Sequence, residues 1–259
     1  MSEVPEFTRL SATREAFFRD GIVRLGRTVE ESLLEQLRER SEAMMGGETP
    51  ELGLFFQHDS DDGTYGSLPR GEGYVGPSQR YRKVEKLERD PLFRALITHP
   101  VHETIVRAFI DGPVHIYRTV LFNKAPGSSS PIPWHQDGGT FWGLSEEPFL
   151  QLWTALDDAP VEAGCVEAIA GSHARGLATP LGGVIPDDVQ ARANAASRAV
   201  CFPAKAGESL LIHNHVWHRS GANHTAMPRR AVTVCYMHAR VKCLRKKRAP
   251  RVFPLVFPG

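Results

Sequence analysis

The sequence predicts a mainly β fold: a sandwich or barrel of short strands with helices in front of it. Before Val114, apolar residues recur at helical spacing; from Val114 the period shortens to 2 and the runs turn β-branched and aromatic. Those later runs are short and separated by turn signals, as in sandwiches and barrels.

Residues 11–19 read as a short helix, capped by Ser11, with Phe17 and Phe18 packing inward. Gly21 ends it, and Ile22, Val23, Arg24 and Leu25 read as a strand. Thr28 opens a second helix, with Glu31 at the capping-box spacing and Val29, Leu33, Leu37 and Met44 as an apolar stripe. Residues 46–79 are rich in Gly, Asp, Ser and Pro, with Asp59, Asp61 and Asp62 at their centre; a loop this long reads as a lid or as disorder. Asp90 and Pro91 begin another helix, and a further one covers 101–110. Strands are expected at 115–122, 149–156, 166–169, 199–202, 209–217 and 230–238, with helix at 187–198.

A chain of 259 residues, 41% hydrophobic and 24% charged, has the size and composition of a globular protein with a full core. We expect one domain over 1–259: a helical part with the lid loop to 113, a β core over 114–240 and a basic tail over 241–259. The net charge of +1 gives no ground for a nucleic-acid partner. No apolar run approaches the ~18 residues of a membrane span, and the N-terminus has no apolar signal core. Cys165, Cys201, Cys235 and Cys243 are widely spaced and read as reduced thiols of a cytoplasmic protein. After Glu208 no acid follows, while ten Lys or Arg do, seven of them within 240–251. That stretch, including Lys246, Lys247 and Arg248, reads as a solvated tail or else as a patch for an anionic group.

The chemistry centres on Trp134-His135-Gln136-Asp137-Gly138-Gly139. Side chains two apart in a strand share a face, so an imidazole and a carboxylate converge there. They are two members of the 2-His-1-carboxylate triad of non-heme iron oxygenases. His213, His215 and His218 lie close together further on, and each could supply the third ligand. Ser220 follows His218 by two residues and Arg229 by eleven. If His218 ends a strand, an arginine at the start of the next one can clamp a carboxylate remote from the metal, with the Ser220 hydroxyl as a second donor. Arg230 is the rival clamp; adjacent strand residues face opposite sides, so the one not used is a surface residue. Gly138 and Gly139 leave the backbone near the metal unobstructed, which makes Phe141 and Trp142 candidate substrate walls.

These motifs, together with Phe17-Phe18-Arg19-Asp20-Gly21, Asn123-Lys124, Trp153-Thr154-Ala155, Gly164-Cys165, Gly171-Ser172-His173, Gly207-Glu208 and His218-Arg219-Ser220-Gly221, resemble the phytanoyl-CoA dioxygenase family of Fe(II)/2-oxoglutarate-dependent oxygenases. The resemblance implies a double-stranded β-helix (a cupin-like jelly roll) with N-terminal helices. It implies His135, Asp137 and His218 as ligands of Fe(II), with 2-oxoglutarate and O2 as co-substrates. Arg229 and Ser220 would hold the distal carboxylate of 2-oxoglutarate, Trp153 and Gln136 would line its pocket, and Lys83 would contact it. Three positions depart from the pattern: Ala170 in place of Pro, Arg219 in place of Gly, and Val120 where a larger residue can stand. Arg219, Phe141 and Trp142 are carried forward as substrate residues. The reaction expected is hydroxylation or oxidative cyclisation of a small molecule, with release of succinate and CO2. Acids at 59–62 and at Glu146-Glu147 suggest an amino sugar or other polar metabolite of natural-product biosynthesis, whereas the basic tail suggests a phosphate or acyl-CoA ester. A zinc hydrolase and a non-catalytic jelly-roll binding protein are the other classes consistent with the residues.

Overall fold

The computed structural model describes residues 7–48, 52–69, 73–127, 129–246 and 251–259. Helix α1 (Phe7–Asp20) runs into strand β1 (Ile22–Arg27) through Gly21, whose φ of +75° suits glycine and whose Cα faces the His173 ring. Helix α1 starts before Ser11, so Ser11 is no cap, and Phe18 is 45% exposed while Phe17 is buried. Helix α2 (Glu31–Gly46) begins later than the capping-box spacing suggests, and Glu30 at its N-cap makes no side-chain cap bond. Thr28 instead bonds the Ser209 hydroxyl at 2.7 Å, tying the chain to the sheet. The predicted apolar stripe holds: Val29, Leu33, Leu37 and Met44 are all buried.

The long polar segment is partly ordered as strand β2 (Phe55–His58) and strand β3 (Tyr81–Glu85), paired antiparallel; its residues 49–51 and 70–72 lie outside the described residues. Phe56 and Tyr81 pack edge to face and belong to the main core. Asp90 caps helix α3 (Pro91–Ile97) by accepting from Leu92 N and Phe93 N, and helix α4 (Pro100–Arg107) follows.

Strand β4 (Val114–Lys124) starts the β region. Strands β5 (Ile132–Gln136), β6 (Leu150–Ala155), β7 (Val166–Ile169) and β8 (Gly183–Val184) precede helices α5 (Asp187–Arg192) and α6 (Ala195–Arg198). Then come β9 (Val200–Phe202), β10 (Glu208–His213), β11 (Trp217–Ser220), β12 (Arg229–His238) and β13 (Leu255–Phe257). An eight-stranded sheet has the order β1-β10-β6-β12-β4-β3-β2, with β13 also on β4; a five-stranded sheet has the order β8-β5-β11-β7-β9. The result is a jelly roll. The expected strand over 209–217 is in fact two strands, β10 in the large sheet and β11 in the small one, so His213 and His218 lie in different sheets. Residues 255–257, expected in a solvated tail, pair with the start of β4. Lys247 and Arg248 lie outside the described residues.

Alternation along β12 sorts its side chains. Val232, Val234 and Tyr236 join the core packed by the helices, whereas Ala231 joins Trp153, Ile212, Val166 and Ala168 between the sheets. The same alternation sends Arg229 between the sheets and Arg230 towards α2. Arg230 is therefore not a surface residue: it is 5% exposed and held by Asp157 at 2.7 Å and Glu42 at 2.9 Å. Each fully buried Leu or Val here contributes about 1.5–3 kcal/mol through its transfer from water.

Candidate active site

The site lies between the two sheets. Strand register sets His218 of β11 directly opposite His135 of β5, with ring centroids 4.0 Å apart. Asp137 stands just past the end of β5, its amide bonded to Asn214 O at 2.8 Å. One donor atom from each of His135, Asp137 and His218 can be chosen so that all lie within 4.8 Å of one another. Each imidazole donates Nδ1–H to a carbonyl two residues before it, His135 to Pro133 O and His218 to Val216 O, both at 2.9 Å. Those bonds fix the tautomer and leave each Nε2 with a free lone pair. The carboxylate is held at both oxygens: Arg118 Nη2 donates to Oδ1 at 2.8 Å and Gln151 Nε2 to Oδ2 at 2.7 Å.

Electrostatics set the protonation states that a cation needs. Burial pushes the His135 imidazole down to about 3, assisted by His218, so it is neutral near pH 7. Burial also pushes the Asp137 carboxyl up, but Arg118, His135 and His218 outweigh it, and its pKa falls below the usual carboxylate range. A neutral imidazole and an ionised carboxylate are the forms that ligate a metal.

Beside the triad is a narrow cavity of about 50 Å3, whose walls include Trp153, Ile212, Ser220, Arg229 and Thr233. Arg229 is 2% exposed and donates to Ala163 O at 3.5 Å and Gly164 O at 2.5 Å. Among the described residues no carboxylate lies within salt-bridge distance of it, and burial pushes its pKa down to about 10. A guanidinium in this state lacks an anion. The Ser220 hydroxyl in the same cavity is buried without a hydrogen-bond partner among the described residues. The donor set, the unpaired cation and the orphaned hydroxyl fit a metal ion and a dicarboxylate.

A second, larger pocket of about 550 Å3 opens outward from His135 and Asp137. Lys83, Phe141 and Trp142 line it, with Gln57, Tyr65 and Leu68 from the segment expected to be a lid. Lys83 thus stands in the outer pocket rather than in the narrow cavity, paired with Glu85. Trp142 stacks on Tyr117 at 4.1 Å, whereas Phe141 is 73% exposed.

Two candidates are held by partners of their own and stand in the pocket other than the one expected. The Gln136 amide donates to Gly176 O and His215 O and accepts from Ala178 N, so it clasps backbone and is absent from the walls of the narrow cavity. Arg219 makes two bonds to Glu167 Oε2 and lies over the Trp134 ring at 4.8 Å; it is among the walls of the narrow cavity and not of the outer pocket. His213 packs among Phe17, Phe149 and His173, and His215 pairs with Glu147 at 2.7 Å, which removes both from the triad. Arg118 and Gln151 belong to no sequence motif. Their one signal is a long polar side chain within an apolar strand.

A jelly roll with a buried two-histidine, one-carboxylate cluster defines the class of cupin-like metal-site proteins. The family model for phytanoyl-CoA dioxygenase matches residues 17–231, and the chain belongs to that family of Fe(II)/2-oxoglutarate-dependent oxygenases. Phytanoyl-CoA dioxygenase domain-containing protein 1 of Mus musculus is 32% identical over 183 residues, which is 66% of this chain. The match spans only 62% of that relative's length. The fold is similar to that of the epimerase SnoN, solved with Fe3+, alpha ketoglutarate and nogalamycin RO (TM-score 0.72, 19% identity, 96% of this chain and 99% of that one). It is also similar to that of the alpha ketoglutarate-dependent carbocyclase SnoK from nogalamycin biosynthesis (TM-score 0.70, 22% identity, 94% of both chains).

Proposed function

We propose that this chain is a non-heme Fe(II)/2-oxoglutarate-dependent dioxygenase that hydroxylates, or oxidatively closes a ring in, a small polar metabolite and releases succinate and CO2. The observation that carries this is the pairing of two features in one cavity wall: the His135, Asp137 and His218 cluster, and the buried Arg229 guanidinium, which has no acid within salt-bridge distance among the described residues.

Iron held by His135, Asp137 and His218 would supply oxygen activation coupled to decarboxylation of 2-oxoglutarate. The protein's own residues do the rest. Arg229 binds the distal carboxylate and neutralises it, and Ser220 donates its hydroxyl to the same group. Trp153 forms an apolar wall of the slot, which keeps water from the co-substrate. Arg118 and Gln151 hold the Asp137 carboxylate in one orientation, and the Pro133 and Val216 carbonyls do the same for the imidazoles. The outer pocket, with Trp142 at its wall, receives the prime substrate. A role in tailoring a natural product is supported by SnoN and SnoK, and the free thiols of Cys165 and Cys235 suit a reducing, cytoplasmic setting.

The test is anaerobic titration with Fe(II) and then 2-oxoglutarate, followed by a metabolite screen read as succinate release. Metal-dependent 2-oxoglutarate binding and substrate-stimulated succinate are the expected results. A protein that takes up zinc and hydrolyses an ester, with no response to 2-oxoglutarate, would replace this function with a hydrolytic one.

A further inference from the structure

Arg82 lines the outer pocket and has no part in the function proposed above. It is the extra residue of a β-bulge. Gln57 pairs with Lys83 and His58 pairs with Tyr81, so Arg82 faces no partner on β2. Regular alternation would send Arg82 and Lys83 to opposite faces; a bulge re-aims a side chain, and both line the same pocket.

The pocket's cations differ in their partners. Lys83 pairs with Glu85, and Arg118 pairs with Asp137. Arg82 is 8% exposed, yet no carboxylate lies within salt-bridge distance of it among the described residues. It donates one N–H to Gln57 Oε1 at 3.2 Å, and its guanidinium lies over the Tyr65 ring at 5.3 Å. Asp59 acts on it from further off, with its carboxylate oxygens bonded to Ser130. Burial accordingly lowers its pKa. Gln57 and Tyr65 therefore position the guanidinium fork without neutralising it.

The acids that favour a cationic substrate are engaged elsewhere. Asp61 pairs with Arg80, Asp62 accepts from Thr64 and Ser67, Glu146 pairs with Arg240, and Glu147 pairs with His215. Among the described residues Asp137 is the one carboxylate in the pocket walls, and Arg118 and Gln151 already hold it.

We propose that the prime substrate carries a carboxylate or phosphate group and that Arg82, aimed by the bulge, binds that group at the wall of the outer pocket. The assignment rests on the dioxygenase function proposed above. A planar guanidinium fork matches either anion through paired N–H donors, and desolvation strengthens the contact. An amino sugar without an acidic group is thereby disfavoured as the substrate.

The experiment uses the full chain loaded with Mn(II) in place of iron and saturated with 2-oxoglutarate, so that Arg229 is occupied. Inorganic phosphate, propionate and the neutral propionamide are titrated by calorimetry into the wild type, Arg82→Gln and Arg82→Lys. At least one anion binds the wild type ten-fold or more tightly than propionamide. Arg82→Gln loses that margin, Arg82→Lys regains part of it, and the 2-oxoglutarate affinity is equal in all three. Preference for phosphate assigns a phosphate ester and preference for propionate a carboxylic acid. The proposal is overturned if neither anion exceeds propionamide, or if Arg82→Gln binds the anion like the wild type while still binding 2-oxoglutarate. A wild type that fails to bind 2-oxoglutarate overturns the underlying dioxygenase function instead. If Arg82→Gln does not fold, Arg82→Met is titrated in its place, and anion binding equal to that of the wild type contradicts the proposal.

Discussion

His135 and His218 face each other across the β5–β11 pair, and each gives its Nδ1–H to the carbonyl two residues upstream at 2.9 Å. The two imidazoles are thus oriented by the strands themselves, before any metal arrives. The site is preorganised, and its third member, Asp137, is held by Arg118 and Gln151.

Removing that third member has two separable effects. Asp137→Ala should weaken metal binding at least about 100-fold. It should also lower stability by about 2 kcal/mol, because Arg118 loses a charged hydrogen-bond partner in a largely buried place. The double variant Arg118→Met/Asp137→Ala should recover most of the stability and none of the metal binding. Metal titration beside chemical denaturation of the three proteins checks this; equal metal affinity in Asp137→Ala would remove Asp137 from the triad.

Arg229→Met should behave in the opposite way. A buried cation with no carboxylate within salt-bridge distance among the described residues is replaced by an apolar side chain of similar length, so the ligand-free fold is as stable or more stable. Affinity for 2-oxoglutarate should fall by about 30-fold or more, from loss of a charge-assisted contact. Ser220→Ala should lower it about 5-fold and leave stability unchanged or slightly raised, since its hydroxyl is already unpartnered. Calorimetric titration gives both numbers, and undiminished 2-oxoglutarate binding by Arg229→Met would refute the clamp.

Acid should destabilise the metal-free protein well above the carboxylate range. Burial pushes His102, His135 and His213 down to about 3, against about 6.5 in the unfolded chain. Between those values the unfolded state binds protons that the folded state does not. Stability is therefore complete above about pH 6.5 and is lost as pH falls towards 3. His102 lies far in sequence from the triad and bonds Thr28 at 3.3 Å. His102→Gln should flatten the slope by up to about 1.4 kcal/mol per pH unit. Urea melts at pH 5, 6 and 7 supply the test, and an unchanged slope would show that His102 does not titrate this way.

Gly139 should not tolerate alanine. Its φ is +84°, and a Cβ would come within 2.4 Å of the Leu181 carbonyl and 2.5 Å of Gly182 N, all backbone atoms that cannot swing aside. A loss of about 2–4 kcal/mol is predicted, from strain plus overlap. A melting temperature within a degree of the wild type would contradict it.

The sequence made some features legible and hid others for physical reasons. The His-x-Asp spacing and the residue pattern after His218 expose the triad and Arg229 because chemistry fixes those spacings. The helix expected from Thr28 starts instead at Glu31 because the Thr28 hydroxyl reaches Ser209 rather than a helical N–H, a long-range contact that no local rule contains. The run 209–217 looks like one strand because both halves are apolar; the turn at 214–216, which moves the chain to the other sheet, carries no Gly or Pro. Arg82 was invisible because a bulge shifts register by one residue and leaves no signature in the sequence. The acids of the 59–62 stretch looked available to a ligand, but Asp59 is buried against Ser130, a partner 71 positions away.

The most direct measurement is anaerobic binding of 2-oxoglutarate to the wild type with and without Fe(II). Binding of one equivalent that requires Fe(II) and is abolished in Asp137→Ala is the predicted result. Binding that is equally strong without the metal, or none in either condition, would contradict the assignment of His135, Asp137, His218 and Arg229 to a single catalytic site.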